Sequence, residues 1–534
     1  MEHGAPAPPP PAETARRRPK TALPARAPGR VWAGAGALGL AAAVAAYLVM
    51  PGKPPAEPGG AEFDGDPVLA DSVAASVDGR EDRVQGLSVL EIDGEETRTL
   101  VGGTTGAGEA VSEETRFETG SVFKVVTAMT LADLAESGGT SPDRTLGEVF
   151  GDLDFASPAT AEITLEELAS HRSGLPRIPA EATAAGVATP FTVTDPYRGM
   201  PPVEESLAAA VPAQGEPEWS YSNFGYAVLG AALAEESGTA YPRLVRERIF
   251  DPLGMDDTVM RGAGIDGLPD DAAPPHAVPG KRTEPWRSQD YLPVGIGTWT
   301  TAGDLERFLR AVMDGTAPGA AAAEPAHRGP APESRIGLGW ITTDFGDGVE
   351  VVQHGGGTYG STAFIGFQGE RGVIVLSNSF AADAAVIGPR LMGAPDVPPL
   401  SASPATSPVW GLAATLPLVL PPPLLALSLM LRRRTLVGQR PLDRLRVVSM
   451  TAGTAAVLAA ALVTGDWVAA PPVVWAASAG AVVAAAAVGA WRWPRAAVEA
   501  GRWRWLHVAF FCLSASVSAA VALTAADALL AAYG

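Results

Sequence analysis

The apolar residues of this 534-residue chain are concentrated in five runs of about 20 residues, four of them near the C-terminus. As helices, runs of that length span a hydrocarbon core of about 30 Å. The first run occupies residues 31–50, and the others occupy residues 409–431, 447–468, 471–490 and 506–530. We therefore predict one N-terminal and four C-terminal transmembrane helices. Pro421, Pro422 and Pro423 should kink the second helix, because each lacks an N–H group.

The basic residues predict how these helices are oriented, because cytoplasmic segments carry an excess of Lys and Arg. Residues 1–30 are Pro-rich and basic, which predicts a disordered cytoplasmic tail. Two later loops are also basic, whereas the loop around Asp466 is not. The basic residues concerned are Arg16, Arg17, Arg18, Lys20, Arg26 and Arg30 in the tail, Arg432, Arg433, Arg434, Arg440, Arg444 and Arg446 in one loop, and Arg492, Arg495, Arg502 and Arg504 in the other. We predict a multi-pass protein of the cell membrane whose long central segment is extracytoplasmic. Trp491, Trp493, Trp503 and Trp505 are placed as an interfacial aromatic belt would be.

The central segment is long enough to form a large folded domain, which we place at residues 66–390 between linkers at 51–65 and 391–408. It opens with alternating apolar and polar positions over residues 85–93 and 96–103, a pattern typical of a β-hairpin. The Ala/Pro-rich residues 316–333 predict a mobile surface loop within this domain.

Composition excludes several classes of protein. The chain has 59 acidic and 39 basic residues, a net charge of −20, which argues against nucleic acid as a partner. Its one cysteine, Cys512, excludes an intrachain disulfide. The six histidines show no metal-ligand spacing, so we predict no metal site, and nothing implies an organic cofactor.

Ser121 and Lys124 are the first candidate reactive pair. They lie at the start of a helical pattern that ends at Gly138 and Gly139, and their spacing of three places them on one helix face. A serine hydroxyl needs a neighbouring base to become a nucleophile, and a lysine can serve if burial lowers its pKa. Lys124 is the one lysine of four that lies within an apolar helix.

Two further segments carry candidate site residues. Tyr221, Ser222 and Asn223 stand just before a second apolar helix, where a loop can present side chains to a cleft. An apolar strand runs into His354 and the glycines at 355–357 before a second strand begins, and glycines in a strand indicate close approach of another backbone or a substrate.

Together these segments resemble the serine β-lactamase and penicillin-binding-protein superfamily, particularly its class C β-lactamase-like branch of D-alanyl-D-alanine carboxypeptidases and esterases. SVFK at Ser121 is similar to the SxxK motif, YSN at Tyr221 to YxN, and HGG at His354 to the HxG form of KTG. The resemblance covers roughly residues 66–390. It implies an α+β domain of the β-lactamase/transpeptidase type, with an antiparallel sheet flanked by helices and a helical subdomain.

The resemblance also implies a mechanism. Ser121 would attack a carbonyl and form an acyl-enzyme, with Lys124 and Tyr221 sharing the proton transfers; which of the two is the base stays open. The oxyanion would lie between the backbone N–H groups of Ser121 and Gly357.

The same resemblance assigns substrate-binding roles. Asn223 would orient the substrate amide and the lysine, and Gly356 would belong to the substrate-binding edge. His354 would supply a hydrogen bond and, when protonated, a positive charge near a substrate carboxylate. Gly355 departs from KTG, because the hydroxyl that grips a substrate carboxylate is missing; Thr358 is a candidate replacement. His171 is expected to be structural, with its imidazole satisfied beneath the cleft.

The expected function is a membrane-anchored extracytoplasmic serine hydrolase acting on D-amino-acid peptides of the cell wall, β-lactams or related amides and esters. One alternative is a non-catalytic receptor for penicillins or cell-wall fragments that signals through its membrane helices. A transporter is a second alternative, but it predicts ionisable residues within the spans, which these lack at mid-span.

Overall fold

The computed structural model describes residues 29–53, 63–106, 108–213, 215, 218–262, 267–431, 443–496, 498 and 503–533. Most of the predicted basic tail and of the linker at 51–65 therefore lies outside the described residues. The same holds for the predicted inner-loop residues Arg432, Arg433, Arg434, Arg440 and Arg502.

The strands in this part of the chain form one large sheet and two small ones. They are β1 (Phe63–Gly65), β2 (Gly86–Asp93), β3 (Glu96–Gly103), β4 (Phe117–Glu118), β5 (Val259–Met260), β6 (His276–Val278), β7 (Lys281–Arg282), β8 (Thr298–Thr300), β9 (His327–Arg328), β10 (Ser334–Ile336), β11 (Ile341–Asp344), β12 (Glu350–Gly357), β13 (Thr362–Gln368) and β14 (Arg371–Ser377). The large sheet is antiparallel throughout, in the order β1-β3-β2-β14-β13-β12-β11-β10-β9. The predicted hairpin is confirmed as β2 and β3, with Asp93 opposite Glu96.

Helices cover the sheet, build a separate subdomain and form a C-terminal bundle. They are α1 (Gly29–Val49), α2 (Pro67–Val77), α3 (Phe123–Glu136), α4 (Leu146–Val149), α5 (Pro158–Ala161), α6 (Leu165–Ala169), α7 (Thr183–Thr192), α8 (Val203–Ala209), α9 (Asn223–Ser237), α10 (Tyr241–Val245), α11 (Asp251–Leu253), α12 (Ala302–Met313), α13 (Ala384–Leu391), α14 (Pro408–Val419), α15 (Pro421–Leu431), α16 (Arg444–Thr464), α17 (Pro472–Arg492) and α18 (Arg504–Tyr533).

Both faces of the sheet are buried, and the alternation of side chains along β14 shows how. Val373 and Val375 pack on one face against α2 and α13, while Ile374 and Leu376 pack on the other against α3 and α12. A third core lies among α4–α9 and one side of α3. The α+β fold with a flanked antiparallel sheet and a helical subdomain is therefore as predicted.

Three segments predicted to be loops or linkers are partly built into the domain, so these predictions were wrong in part. Phe63–Gly65 pairs with β3 as an edge strand. Leu400, in the second predicted linker, is fully buried in the core beneath α2. Residues 316–333 contain β9 and the buried Ala317 and Ala322, which pack into the core beside α3. Small alanine side chains allow that close packing, and composition alone concealed it.

Five helices are long and apolar enough to cross a membrane: Gly29–Val49, Pro408–Ser428, Arg444–Thr464, Pro472–Arg492 and Arg504–Tyr533. The second is interrupted between α14 and α15, where the proline triplet begins, as predicted. Helix α1 packs closely on α17, since a Cβ on Gly39 would lie 2.8 Å from the carbonyl oxygen of Gly480. We call α1 and α14–α18 the helix bundle.

The helix bundle contacts the α+β domain through polar side chains near its ends and through a buried apolar cluster of Val193 with Val463, Ala525 and Ala528. Arg83 is fully buried, and its Nη1 donates to the carboxylate of Asp466 at 2.7 Å, in the loop between α16 and α17. Lys281 Nζ donates to the carbonyl of Gly465, and Tyr533 at the end of α18 donates to the carbonyl of Gly280.

Candidate active site

Ser121 lies where a helix and a strand edge meet. It belongs to a short 3-10 helix, Gly120–Val122, that leads directly into α3. Gly120 has φ +49°, and a Cβ at this position would lie 2.5 Å from the amide nitrogen of Gly357 on β12. Only glycine meets both constraints, so Gly120 allows the serine turn, residues 119–122, to rest against the strand.

Ser121 Oγ receives two side-chain contacts. Lys124 Nζ lies 2.7 Å away, and the Tyr221 hydroxyl donates to the same oxygen at 2.6 Å. The predicted spacing of three residues thus brings Lys124 onto the serine, and the YSN loop brings the tyrosine from 100 residues away. The structure therefore assembles all three predicted catalytic residues at one oxygen.

Lys124 is fully buried and has no acidic partner in the described residues. Its ammonium contacts the carbonyl of Val294 at 3.3 Å and faces the rings of Tyr221 and Tyr226. Burial holds the pKa of Lys124 well below its usual value, and the positive charge of Arg177 lowers it further. Burial also raises the pKa of Tyr221, which opposes formation of a phenolate. Of the two candidate bases that the motifs left open, Lys124 is the one whose environment favours the unprotonated form.

The YSN loop is held in place by His171. The Nδ1 atom of His171 accepts a hydrogen bond from the backbone N–H of Ser222 at 3.1 Å, and its imidazole contacts the Tyr221 ring at a tilt of 37°, with ring centroids 4.4 Å apart. This geometry agrees with the expected structural role. The expectation of a satisfied ring was wrong in part, because Nε2 has no partner among the described residues.

The strand β12 presents its glycines to the serine turn in alternation. The backbone N–H of Thr358 donates to the carbonyl of Ser361, and in an antiparallel pair every second residue is bonded in this way. Gly356 is therefore hydrogen-bonded to β13, whereas the N–H of Gly357 points away from β13. That N–H faces the edge beside Gly120, which is the direction the predicted oxyanion role requires. Gly356 serves another purpose, since a Cβ there would lie 2.6 Å from the amide nitrogen of Val122.

Asn223 is the first residue of α9 and is buried. Its Nδ2 donates to the hydroxyl of Tyr197 at 2.7 Å, and its Oδ1 has no partner among the described residues. No hydrogen bond joins Asn223 to Lys124 in this part of the chain, and its Nδ2 donates to Tyr197, so the expectation that it orients the lysine stays a prediction. Its role toward a substrate amide remains a prediction.

His354 is also close to the lysine, but the expectation that it supplies a positive charge was wrong. The ring is buried, and its Nδ1 donates to the carbonyl of Gly339 at 2.6 Å. Burial lowers the pKa of His354 to about 4. The ring is therefore neutral at pH 7.

Glu118 is a residue that the sequence patterns did not single out. It is buried three positions before Ser121, and it accepts hydrogen bonds from the Thr358 hydroxyl at 2.7 Å and from the backbone N–H of Trp286 at 3.2 Å. Burial raises the pKa of Glu118 to about 7. Thr358 is therefore committed to Glu118, and the suggestion that its hydroxyl replaces the one missing at Gly355 was wrong.

Arg177 is the second residue that was missed. It is exposed, and its guanidinium lies 4.9 Å above the centre of the Tyr221 ring. Only the folding of the loop after α6 over the YSN segment brings it there, so no local pattern could indicate it. Among the described residues no group of three or more His, Cys, Asp or Glu side chains forms a metal site.

The fold and the Ser–Lys–Tyr cluster are those of the serine β-lactamase and penicillin-binding-protein superfamily. A family model described as Beta-lactamase matches residues 69–393. Penicillin-binding protein 4 of Amycolatopsis lactamdurans is 30% identical over 233 residues, which are 40% of this chain and 55% of that protein. The chain belongs to the β-lactamase family.

Solved structures support the same fold. A class C β-lactamase superposes with a TM-score of 0.52 at 17% identity, covering 62% of this chain and 97% of the other. The D-alanine carboxypeptidase AmpC from Burkholderia cenocepacia superposes with a TM-score of 0.50 at 20% identity, covering 61% and 99%. The chain spans about half the length of the curated relatives it matches.

Proposed function

We propose that this protein is a membrane-anchored extracytoplasmic serine hydrolase that works through an acyl-enzyme on Ser121. The observation that carries the proposal is the placement of Lys124 Nζ and the Tyr221 hydroxyl at 2.7 and 2.6 Å from Ser121 Oγ, with the lysine buried and without a counter-ion in the described residues. The substrates would be D-amino-acid peptides of the cell wall, β-lactams or related amides and esters, as the names of the relatives suggest.

In the proposed acylation, Tyr221 donates to Ser121 Oγ, which leaves the serine proton directed at the neutral amine of Lys124. The serine oxygen attacks the substrate carbonyl as Lys124 takes that proton. The negative oxygen of the tetrahedral intermediate is stabilised by the N–H groups of Ser121 and Gly357. The intermediate collapses as the leaving amine or alcohol takes the proton back from Lys124, directly or through Tyr221. Water then attacks the acyl-enzyme and restores the serine.

The membrane placement rests on the five apolar helices and on where they meet the catalytic domain. The sequence puts the end of α1, the loop at Asp466 and the C-terminus of α18 on one side of the membrane. A Cβ on Gly52 would lie 3.5 Å from the carbonyl oxygen of Gly280, the Tyr533 hydroxyl donates to that same carbonyl, and Asp466 pairs with Arg83. All three sites contact the same domain, which supports an extracytoplasmic location for it.

The direct test is intact mass spectrometry of the full chain in detergent, with and without Ser121→Ala, after addition of benzylpenicillin or 4-nitrophenyl acetate. We expect an adduct on the wild type alone. An adduct of equal yield on Ser121→Ala would refute the proposal. A matched pair separates chemistry from folding: Lys124→Met and Lys281→Met each remove one buried lysine, and only Lys124→Met should abolish acylation.

A second candidate is a receptor that binds a wall fragment or β-lactam and signals through the helix bundle. The contact that favours it is the buried pair of Arg83 and Asp466, which joins the domain to the bundle. A receptor would keep its ligand affinity in Lys124→Met with no loss of its response, whereas an enzyme loses its function with its turnover.

A further inference from the structure

The strand that carries the HGG motif offers no visible anchor for a substrate anion. Gly355 has no hydroxyl, Thr358 is committed to Glu118, and His354 is buried and hydrogen-bonded to a backbone carbonyl. Lys124 is buried behind the nucleophile. Any recognition of a negatively charged substrate has to come from another side of the cleft.

Arg177 lies on that other side. Its backbone is fixed, because its carbonyl accepts the N–H groups of Asn223 and Phe224 at 2.9 and 3.2 Å. Its guanidinium lies 4.9 Å above the Tyr221 ring, whose hydroxyl contacts Ser121 Oγ. The side chain is thus held over one catalytic residue while remaining exposed to solvent.

This guanidinium also lacks an acidic partner in the described part of the chain. The contrast is with Arg172, five residues earlier on the same loop, whose guanidinium pairs with Glu166 and contacts His327. An arginine presents a planar fork of donors suited to a carboxylate, and stacking on an aromatic ring fixes its orientation in advance. The charge of Arg177 reaches the catalytic groups, since it lowers the pKa of both Lys124 and Tyr221.

We propose that Arg177 is a specificity-determining residue that binds a carboxylate of the substrate beside Ser121. The inference rests on the proposed hydrolase function and narrows its substrate class to amides or esters that carry a free carboxylate. The carboxylate would accept hydrogen bonds from the guanidinium fork while the reacting carbonyl occupies the site between Ser121 and Gly357.

The test compares two esters that differ only in charge, mono-4-nitrophenyl glutarate and its methyl ester, on the full chain in detergent. Arg177→Gln should lower kcat/KM for the charged ester about tenfold more than it lowers kcat/KM for the neutral ester, because any effect of its charge on Lys124 and Tyr221 is common to both esters. Arg177→Lys keeps the charge without the fork and should recover part of the loss. Arg172→Gln removes the same charge from an arginine that is already paired, and it should not change the ratio of the two rates.

Two results would overturn the inference. If Arg177→Gln slows both esters equally, the arginine only positions Tyr221; if it changes neither, no carboxylate binds there. A binding measurement distinguishes failure of this inference from failure of the proposed function. The Ser121→Ala variant cannot be acylated, so any effect of the charged ester on it reports binding alone. If the wild type hydrolyses neither ester, the thermal unfolding midpoint of Ser121→Ala still tests the inference. The charged ester should raise that midpoint, and the rise should disappear in the double variant that also carries Arg177→Gln.

Discussion

The contact between β12 and the serine turn makes a sharp prediction at three consecutive glycines. A Cβ on Gly356 would lie 2.6 Å from the amide nitrogen of Val122 and 2.9 Å from that of Ser121, with the carbonyl of Thr119 closer still. A Cβ on Gly355 would meet only the Cβ of Ala385, at 3.5 Å. None of the three glycines has a positive φ, so alanine costs nothing in backbone conformation and the steric contact alone distinguishes the sites.

The size of the effect follows from these distances. Ordinary contact begins at 3.4 Å, so Gly356→Ala must push Val122 and β12 apart by roughly 0.8 Å, and the closer carbonyl of Thr119 requires a larger shift of about 1 Å. A displacement near 1 Å at reacting groups can cost about 100-fold in rate. Both oxyanion donors lie on the elements that separate. We therefore expect Gly356→Ala to slow acylation of Ser121 about 100-fold, and Gly355→Ala to change it less than about threefold.

The assay is the rate of mass gain with 4-nitrophenyl acetate, followed beside the thermal unfolding midpoint of each variant. A folded Gly356→Ala protein that acylates slowly would support the geometry. Equal acylation rates for the two alanine variants would refute the reasoning, because the turn could then accommodate a Cβ without moving the nucleophile.

Three other predictions follow from burial and charge. Tyr221→Phe should slow acylation about tenfold but Lys124→Met more than about 1000-fold, measured by the same mass assay, since burial opposes a phenolate. The pKa of Glu118 is about 7 in the folded state and 4.5 in the unfolded chain, so the fold favours the protonated carboxyl. The contribution of that proton to the free energy of unfolding is complete below pH 4.5 and is lost as the pH rises through 7. Between those limits the wild type should lose about 3 kcal/mol more stability than Glu118→Gln, read from unfolding at several pH values; equal losses would contradict this. Asp466→Asn should leave the buried Arg83 with only the more distant carboxylate of Asp82, at 3.7 Å, so unfolding should become easier by less than the roughly 3–5 kcal/mol of a fully unpaired buried charge, and hydrogen exchange at the contact should increase.

The parts of the site that the sequence predicted are those governed by local periodicity. A spacing of three residues brought Lys124 to Ser121, and strand alternation ending in glycines located the edge at Gly357. The family resemblance, in which the three motifs occur in the expected order along the chain, predicted that these distant segments meet at one site. The spacing of Ser121 and Lys124 and the alternation along β12 are set within one helix and one strand, so they do not depend on which loop covers the cleft.

The parts that it missed depend on contacts between distant segments. Thr358 was a candidate for the hydroxyl missing at Gly355, but it donates its hydroxyl to the buried Glu118 from another strand. The prediction of a positive charge on His354 was wrong for the same reason, because burial of the ring depends on how the domain packs and not on the motif. Arg177 became visible only when its loop folded over Tyr221.

The weakness of the hydrogen-bonded path between the candidate site and the helix bundle favours the proposed enzyme over the receptor. One continuous path leads from Asn223 to the hydroxyl of Tyr197, then along the chain to Arg198, which pairs with Asp527 of α18 at 3.2 Å. That last pair is 46% and 62% exposed, and exposed pairs contribute about 0–1 kcal/mol. Coupling between two sites typically takes about 1–3 kcal/mol. Two buried contacts, the pair of Arg83 with Asp466 and the apolar cluster of Val193 with Val463, Ala525 and Ala528, include none of the groups on this path. The contacts therefore suit a bundle that holds the catalytic domain at the membrane surface better than one that reads the state of Ser121.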